Sequence, residues 1–184
     1  MSAKWMDRLE KIRKGKDRFF RESPQSPFSW RDRETFEGLS YYPLNEDYRF
    51  ELELHEHDDK TMATLGATGG DERHMVRWGE FRFVVDGKEW TLQVYRLDPG
   101  QSRLFVPFRD ATADTETYLR GRYLDLEPQV HRTPEGTWIV DFNEAYNPWC
   151  AYTDGYSCVI SPRENALDLP IRAGEKRYRH SNDH

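Results

Sequence analysis

The sequence predicts a mainly β domain, an antiparallel β-barrel or sandwich, with an N-terminal α-helix packed against it. From residue 48 onward, apolar residues alternate with polar ones in short segments. A two-residue turn signal stands at Asp86-Gly87, and a basic amphipathic segment precedes all the strands. The 184 residues suffice for one core, and 14% of them are aromatic. We expect a single β domain over residues 28–184 with a core rich in rings.

Residues 1–27 are predicted to form a helix, over residues 2–22, and its proline-rich stop. Ser2 is a suitable N-cap, and Gly15 and Lys16 interrupt the apolar stripe. The helix holds eight Lys or Arg against four Asp or Glu, so docking on the acidic remainder is expected, with an anionic partner as the alternative. The apolar stripe consists of Trp5, Leu9, Ile12, Phe19 and Phe20.

The turn at Asp86-Gly87 predicts a β-hairpin in which Phe83 faces Trp90, because that register brings the apolar positions onto one face. Pro107 places its strand at a sheet edge or makes it a strand end. No helix-length pattern separates the strands, so the sheet should be antiparallel. Further strands are predicted over residues 48–54, 61–66, 73–78, 103–108, 119–126 and 137–142.

Composition excludes several classes of protein. A net charge of −6 argues against a general nucleic-acid binder, and no apolar run is long enough to span a membrane. The N-terminus lacks the apolar region of a secretion signal, so a cytoplasmic protein is expected. The sequence shows no nucleophile elbow, phosphate loop or dinucleotide fingerprint, and no cofactor is expected.

Two histidines are the first candidates for a metal site. His55 and His57 alternate on one strand face and are able to hold a metal ion together. They share that face with Glu51 and Glu53, however, and run directly into a charged turn. We therefore expect a solvated strand end that binds no metal tightly.

The two cysteines leave three interpretations open. Cys150 and Cys158 have seven residues between them, which is not the spacing of a zinc knuckle, and two cysteines are too few for a disulfide scaffold. They are two small buried apolar groups, a disulfide closing a short loop, or a reactive thiol with a neighbour.

The densest group of polar residues lies near the C-terminus. Long ordered loops usually have a role, so this stretch is either a binding site or a structural plug that closes one end of the sheet. The strand at 137–142 delivers these residues to one end, and Gly174 permits a close approach that brings Lys176 back beside them. The group comprises Asp141, Asn143, Tyr146, Asn147, Tyr152, Glu164, Asn165, Glu175 and Lys176.

An ordered series of short motifs runs through most of the chain. They include Phe36-Glu37-Gly38-Leu39, Arg77-Trp78-Gly79-Glu80-Phe81, Leu104-Phe105-Val106-Pro107-Phe108-Arg109-Asp110, Asp141-Phe142-Asn143-Glu144-Ala145-Tyr146-Asn147-Pro148 and Ala173-Gly174-Glu175-Lys176. With them the sequence resembles the family catalogued as domain of unknown function 1684. It departs at Val159, where the family usually has proline after the cysteine. The resemblance implies no activity, and its members look intracellular in some cases and exported lipoproteins in others.

The leading functional hypothesis is a small-molecule binding module whose ligand carries an anionic group. The first alternative is an enzyme in which Cys150 or Cys158 is the nucleophile, or Glu164 and Lys176 form an acid/base pair. The second alternative is an interaction protein that uses the N-terminal helix. The expected ligand-binding residues are Arg122, Asn143, Asn147, Tyr152, Asn165 and Lys176.

Overall fold

The computed structural model describes residues 2–178 of the chain. Helix α1 spans Ala3–Glu22, with the short helices α2 at Trp30–Glu34 and α3 at Pro128–His131. Ser2 occupies the N-cap position of α1, but its side chain makes no capping hydrogen bond, contrary to the prediction. Within this part of the chain, no helix combines the length and the apolar character needed to cross a membrane.

The strands form two antiparallel sheets. The larger has the order β2-β4-β5-β6-β7 with β3 also paired to β4, and the smaller consists of β1 and β8. The strands are β1 Arg49–Leu52, β2 His55–Glu56, β3 Met62–Gly66, β4 Glu72–Val85, β5 Lys88–Arg96, β6 Leu104–Phe108, β7 Arg122–Leu126 and β8 Trp138–Asp141.

The predicted hairpin is confirmed in its register. Phe83 pairs with Trp90, and Asp86 and Gly87 both have positive φ angles, 52° and 76°, as a type I′ turn requires. Phe83 is buried, and Trp90 packs against the same core but is only partly buried, so full burial of Trp90 was not found. The strand predicted at 73–78 is the first half of β4, which continues through a bulge.

The two sheets enclose one aromatic core. The Phe50 ring from β1 lies 5.1 Å from that of Phe83 on β4 and 6.0 Å from that of Phe142, centroid to centroid. Among residues 2–178 the strands form no closed barrel, and the arrangement resembles a sandwich. The mainly β prediction is therefore confirmed in its sandwich form.

Strand β6 lies inside the sheet rather than at its edge, although Pro107 has no N–H to donate. The Asn165 side chain fills the gap in the ladder. Its Nδ2 donates to the carbonyls of Gln93 and Pro107 at 2.9 and 2.8 Å, and its Oδ1 accepts from Gln93 N at 2.7 Å. Asn165 is fully buried there, so it closes the sheet and is not available to a ligand.

Helix α1 packs on the β domain through a stripe that contains both apolar and polar contacts. Leu9 and Phe20 are buried, and Trp5 Nε1 donates to Asp141 Oδ2 at 2.7 Å. Phe20 joins a cluster of rings from later segments, among them Tyr152. Docking of the helix is thus confirmed, but Ile12 is 44% exposed, so its expected place in the contact was wrong.

Candidate functional site

A buried carboxylate stands where α1 meets the C-terminal segment. Glu175 is 1% exposed, and its side chain accepts hydrogen bonds from Lys16 Nζ, Tyr152 Oη and, at 2.9 Å, Asn147 N. Burial and the neighbouring carboxylate raise the pKa of the Tyr152 phenol well above its ordinary value, so it remains a donor. Three donors, one of them a cation, thus compensate the charge of Glu175.

Gly174 allows this carboxylate to reach its place. Its φ is +78°, and a Cβ there would stand 2.6 Å from the carbonyl oxygen of Ala145 and 2.7 Å from that of Phe142. The close approach predicted at Gly174 is real, but it directs Glu175 rather than Lys176 into the interior. The Lys176 ammonium lies 5.3 Å from the centroid of the Tyr42 ring.

A cleft of about 210 Å³ separates α1 from the β domain beside Glu175. Most of the wall opposite α1 comes from the short segment that follows β8. Side chains of both charges and two tyrosine rings face it. The lining residues are Leu9, Ile12, Arg13, Lys16, Tyr41, Asn143, Glu144, Ala145, Tyr146 and Glu175.

Arg13 is the least satisfied group of this cleft. Its Nη1 donates to Tyr42 O at 3.0 Å, and its guanidinium carbon lies 4.4 Å from the centroid of the Tyr41 ring. Nε and Nη2 are buried and have no hydrogen-bond partner within residues 2–178. Burial lowers the pKa of the Arg13 guanidinium, since desolvation disfavours the charged form. An unpaired buried donor costs roughly 1–3 kcal/mol, so Arg13 favours an added acceptor.

A second cavity, of about 370 Å³, lies toward the start of α1 and shares Glu144 with the cleft. The Arg8 Nη2 donates to Glu144 Oε2 at 3.2 Å, and His131 Nε2 lies 3.1 Å from the same oxygen. Burial raises the pKa of the Glu144 carboxyl, but the hydrogen bonds from His131 and Arg8 outweigh it and leave the pKa below its ordinary value. Glu144 is therefore an ionised group with two partners of its own.

The two thiols lie together away from the cleft. Both cysteines are free and partly buried; the Cys158 side chain lowers the pKa of the Cys150 thiol, and Cys150 raises the pKa of Cys158. The Tyr118 hydroxyl lies 3.4 Å from Cys150 Sγ, and Cys158 N donates to Thr68 Oγ1 at 3.0 Å. The structure therefore contains no disulfide between Cys150 and Cys158, and a reactive thiol with a neighbour stays a prediction.

The remaining residues predicted to bind a ligand are committed to the chain itself. Arg122 donates to the carbonyls of residues 171, 173 and 175, and Asn143 exchanges hydrogen bonds with the backbone of Asn45. Asn147 Nδ2 donates to Lys176 O at 2.9 Å. These residues therefore do not form one binding site at a single end of the sheet, as was expected. Asn147 and Tyr152 both donate to Glu175, and Asn143 lines the cleft.

The acid/base pair considered as an alternative is not formed. Glu164 is exposed and accepts from Tyr95 Oη at 2.8 Å, whereas Lys176 lies over Tyr42. Within the described part of the chain, no ion pair joins Glu164 to Lys176.

The histidines are more enclosed than predicted. His55 and His57 are both partly buried, and His57 Nε2 lies 2.8 Å from Gln93 Oε1. Full solvation of this strand end was wrong, because the strand continues to pair with β4 there. Within residues 2–178, no group of three or more His, Cys, Asp or Glu side chains is arranged to hold a metal ion.

Comparison with known proteins leads to the same family as the sequence motifs. The family model described as protein of unknown function (DUF1684) matches residues 34–176. The chain belongs to this family. The DUF1684 match covers β1 to β8 and the Glu175 centre but leaves out α1, which supplies Arg13 and Lys16 to the cleft.

A solved structure supports the same assignment over a greater length. The DUF1684 chain is 37% identical to an uncharacterized protein from gene locus rrnAC0354 of Haloarcula marismortui, known from a solution NMR structure. The match covers 94% of each chain with a TM-score of 0.71. No curated protein matches this chain.

Sequence reasoning missed the two cations that α1 gives to the cleft. The buried face of α1 runs through Leu9, Arg13, Lys16 and Phe20, at spacings of four, three and four residues. Lys16 was noticed only as an interruption of the apolar stripe. A cation at a buried position of a helical stripe signals a carboxylate opposite it, and here that carboxylate is Glu175.

Proposed function

We propose that this protein binds a small molecule with a carboxylate or phosphate group in the cleft between α1 and the β domain. The observation that carries the proposal is Arg13, a buried guanidinium with two nitrogen atoms that lack an acceptor. A guanidinium fork matches planar anions with two parallel hydrogen bonds. The anionic ligand expected from the sequence is thus retained, but its contacts move from Arg122 and Lys176 to Arg13.

The pairing of charges around the cleft supports an anion rather than a cation. Of the two carboxylates in its walls, Glu175 bonds to Lys16 and Glu144 bonds to Arg8 and His131. Arg13 lines the same cleft, and no carboxylate of residues 2–178 forms an ion pair with it. An anion that meets Arg13 therefore compensates a charge that the protein leaves unpaired.

Two tyrosines and the size of the cleft limit the ligand. Tyr41 and Tyr146 line the cleft beside Arg13 and Lys16, and a volume of about 210 Å³ is below the usual range for drug-sized molecules. The site suits a ligand of few atoms with one anionic group and a small apolar part.

The test measures binding of acetate and of inorganic phosphate, at constant ionic strength set with chloride. At ten times its Kd, a ligand should raise the melting temperature by roughly 3–6 °C, with heat released or absorbed in calorimetric titration. Arg13→Gln should abolish the shift, because the amide retains donors but not the charged fork. Lys14→Gln is the matched control, since that neighbouring side chain is 80% exposed and points away from the cleft.

Two outcomes would contradict the proposal. One is a wild-type protein that responds to neither probe, and the other is an Arg13→Gln protein that responds as the wild type does. Arg13→Lys keeps the charge and should retain part of the affinity, which separates loss of binding from loss of structure.

A further inference from the structure

The Lys16 ammonium lies in a cage of aromatic rings where α1 meets the β domain. Its Nζ is 5.0 Å from the centroid of the Tyr146 ring, 5.6 Å from that of Phe20 and 5.8 Å from that of Tyr152. The same nitrogen donates a hydrogen bond to the buried carboxylate of Glu175. Rings within about 6 Å of a nitrogen, together with a carboxylate, are the surroundings in which proteins recognise organic ammonium ions.

The β domain supplies most of this aromatic cage. Tyr152 Oη and Asn147 N both donate to the Glu175 carboxylate, so two hydrogen bonds besides that of the lysine hold it in place. The carboxylate and both tyrosine rings lie within the part of the chain that the DUF1684 model matches, whereas Lys16 precedes that part. The β domain thus provides the cage, and α1 provides the ammonium that fills it.

Lys16 is the member of this arrangement that is able to move aside. Its side chain is 23% exposed, whereas Glu175 is buried. Holding a long lysine side chain in one conformation costs entropy, which is regained when the side chain returns to solvent. The cleft beside the cage gives an entrance, and Leu9 and Ile12 in its wall offer contacts to an alkyl chain. An incoming ammonium that replaces the lysine keeps the charge of Glu175 compensated.

We propose that Glu175 and the three rings of the aromatic cage form a binding site for a primary alkylammonium group, and that Lys16 is the internal occupant of this site. A primary ammonium suits the site better than a quaternary one, because the carboxylate accepts a hydrogen bond and a quaternary nitrogen has no N–H to donate. Either a free amine or a lysine side chain of another protein carries this group. The site uses no atom of Arg13, so it is independent of the anion site.

The test adds n-propylammonium to Lys16→Ala, because this ion supplies the Cγ, Cδ, Cε and Nζ atoms that the substitution removes. Ionic strength is held constant with sodium chloride. At ten times its Kd, the probe should raise the melting temperature of Lys16→Ala by roughly 3–6 °C. In the wild type its apparent Kd should be at least about tenfold higher, since a site that Lys16 fills about nine-tenths of the time is open only for the remainder.

Matched controls separate the cage from general effects of the probe. Lys14→Ala should respond as the wild type does, because the Lys14 side chain is 80% exposed on the same helix. Tetramethylammonium has the charge but no N–H, and 1-propanol has the chain but no charge, so neither should stabilise Lys16→Ala as n-propylammonium does. Nα-acetyl-lysine amide distinguishes the two sources of the group: tighter binding than n-propylammonium indicates a protein lysine, and weaker binding indicates a free amine.

A carbon-13 label at Cε of lysine gives a second measurement, in the wild type, which decides the question if Lys16→Ala does not fold. At about 0.5 M n-propylammonium, far above the millimolar effective concentration of a tethered group, the Lys16 signal should move toward those of the exposed Lys4, Lys11 and Lys14. The reason is that a displaced side chain leaves the ring currents of the cage.

Three results would overturn the proposal. The first is a Lys16→Ala protein that n-propylammonium stabilises no more than it stabilises Lys14→Ala. The second is equal stabilisation of Lys16→Ala by tetramethylammonium or 1-propanol. The third is a Lys16 signal in the wild type that stays where it is while the probe is added.

Discussion

The hairpin of β4 and β5 and the polar segment after β8 are built by different hydrogen bonds. In the hairpin, backbone groups of Lys88–Arg96 pair with those of β4, and side-chain hydrogen bonds such as that from Gln93 Nε2 to Glu80 Oε2 only add to this ladder. In the polar segment, side chains replace the missing backbone partners. Arg122 holds three carbonyls, Asn165 spans two strands, and Glu175 accepts from Asn147 N.

This difference determines which region tolerates substitution. A ladder bond survives any change of side chain except proline, whereas a side chain that satisfies buried backbone groups leaves them unpaired when it is removed. Polar side chains that hold the segment after β8, from within it or from β7, should therefore be more sensitive to substitution than the apolar face of the hairpin, residue for residue.

The largest effect is expected at Arg122. Arg122→Met removes a fully buried cation that holds the carbonyls of residues 171, 173 and 175 and pairs with the buried Asp110 at 3.2 Å. Breaking a buried pair from one side leaves an uncompensated charge, so the free energy of unfolding should fall by about 3–5 kcal/mol in urea denaturation. Arg172→Met is the control, since the side chain of that exposed arginine bonds only Glu116 among residues 2–178, and the substitution should cost under about 1 kcal/mol.

A double variant sharpens this result. Adding Asp110→Asn to Arg122→Met removes the unpaired charge and should recover part of the loss. Equal costs for Arg122→Met and Arg172→Met would show that the polar segment is held by packing alone, and the contrast with the hairpin would fail.

The same contrast explains what the sequence was able to predict. The hairpin register follows from a period of two and a local turn at Asp86-Gly87, both visible within ten residues. The carbonyls that Arg122 holds and the groups that the Asn165 side chain holds lie at least 49 and 58 residues away in the chain, and no period marks them. The residue types of the polar group were therefore recognised, but their partners were not.

The cleft was unpredicted for a related reason. Pairing of Lys16 with Glu175 joins residues 159 positions apart, and it depends on how α1 docks. Docking itself was predictable from the stripe. Which carboxylate faces Lys16 was not predictable, because Glu175 reaches its place through the positive φ of Gly174, and a sequence pattern does not reveal that angle.

An intermediate effect is expected at Asn165, whose side chain hydrogen-bonds to backbone groups of β5 and β6. Asn165→Leu leaves Gln93 N, Gln93 O and Pro107 O without their partner, so the free energy of unfolding should fall by roughly 2–3 kcal/mol. Hydrogen exchange should increase at Gln93 N. Full protection of that amide in the variant would mean that the ladder between β5 and β6 closes without Asn165.

Asn165→Asp distinguishes hydrogen bonding from volume at this position. The aspartate keeps the acceptor for Gln93 N but turns an oxygen toward two carbonyls, so it should destabilise at least as much as leucine at neutral pH. Because those carbonyls raise the pKa of the new carboxyl in the folded state, the deficit should shrink as the pH falls and the acid regains a proton to donate. A deficit that grows in acid would point instead to loss of packing.

The smallest effect is expected at the hairpin turn, where a substitution changes only the cost of the backbone conformation. Gly87 has a φ of +76°, and a Cβ there meets nothing within 4 Å, so Gly87→Ala tests the turn without any clash. The left-handed conformation costs an L-residue about 1–2 kcal/mol, part of which the lower entropy of the unfolded chain offsets, and the net loss should be about 1 kcal/mol.

Gly15→Ala is the matched control, because that site in α1 also has open space but an ordinary helical backbone, so alanine should stabilise by about 0.5–1 kcal/mol. Opposite signs for the two substitutions, measured by urea denaturation, would confirm that the turn conformation limits the hairpin. A stabilising Gly87→Ala would mean that the turn is not held in the left-handed region, and the local account of the hairpin would be wrong.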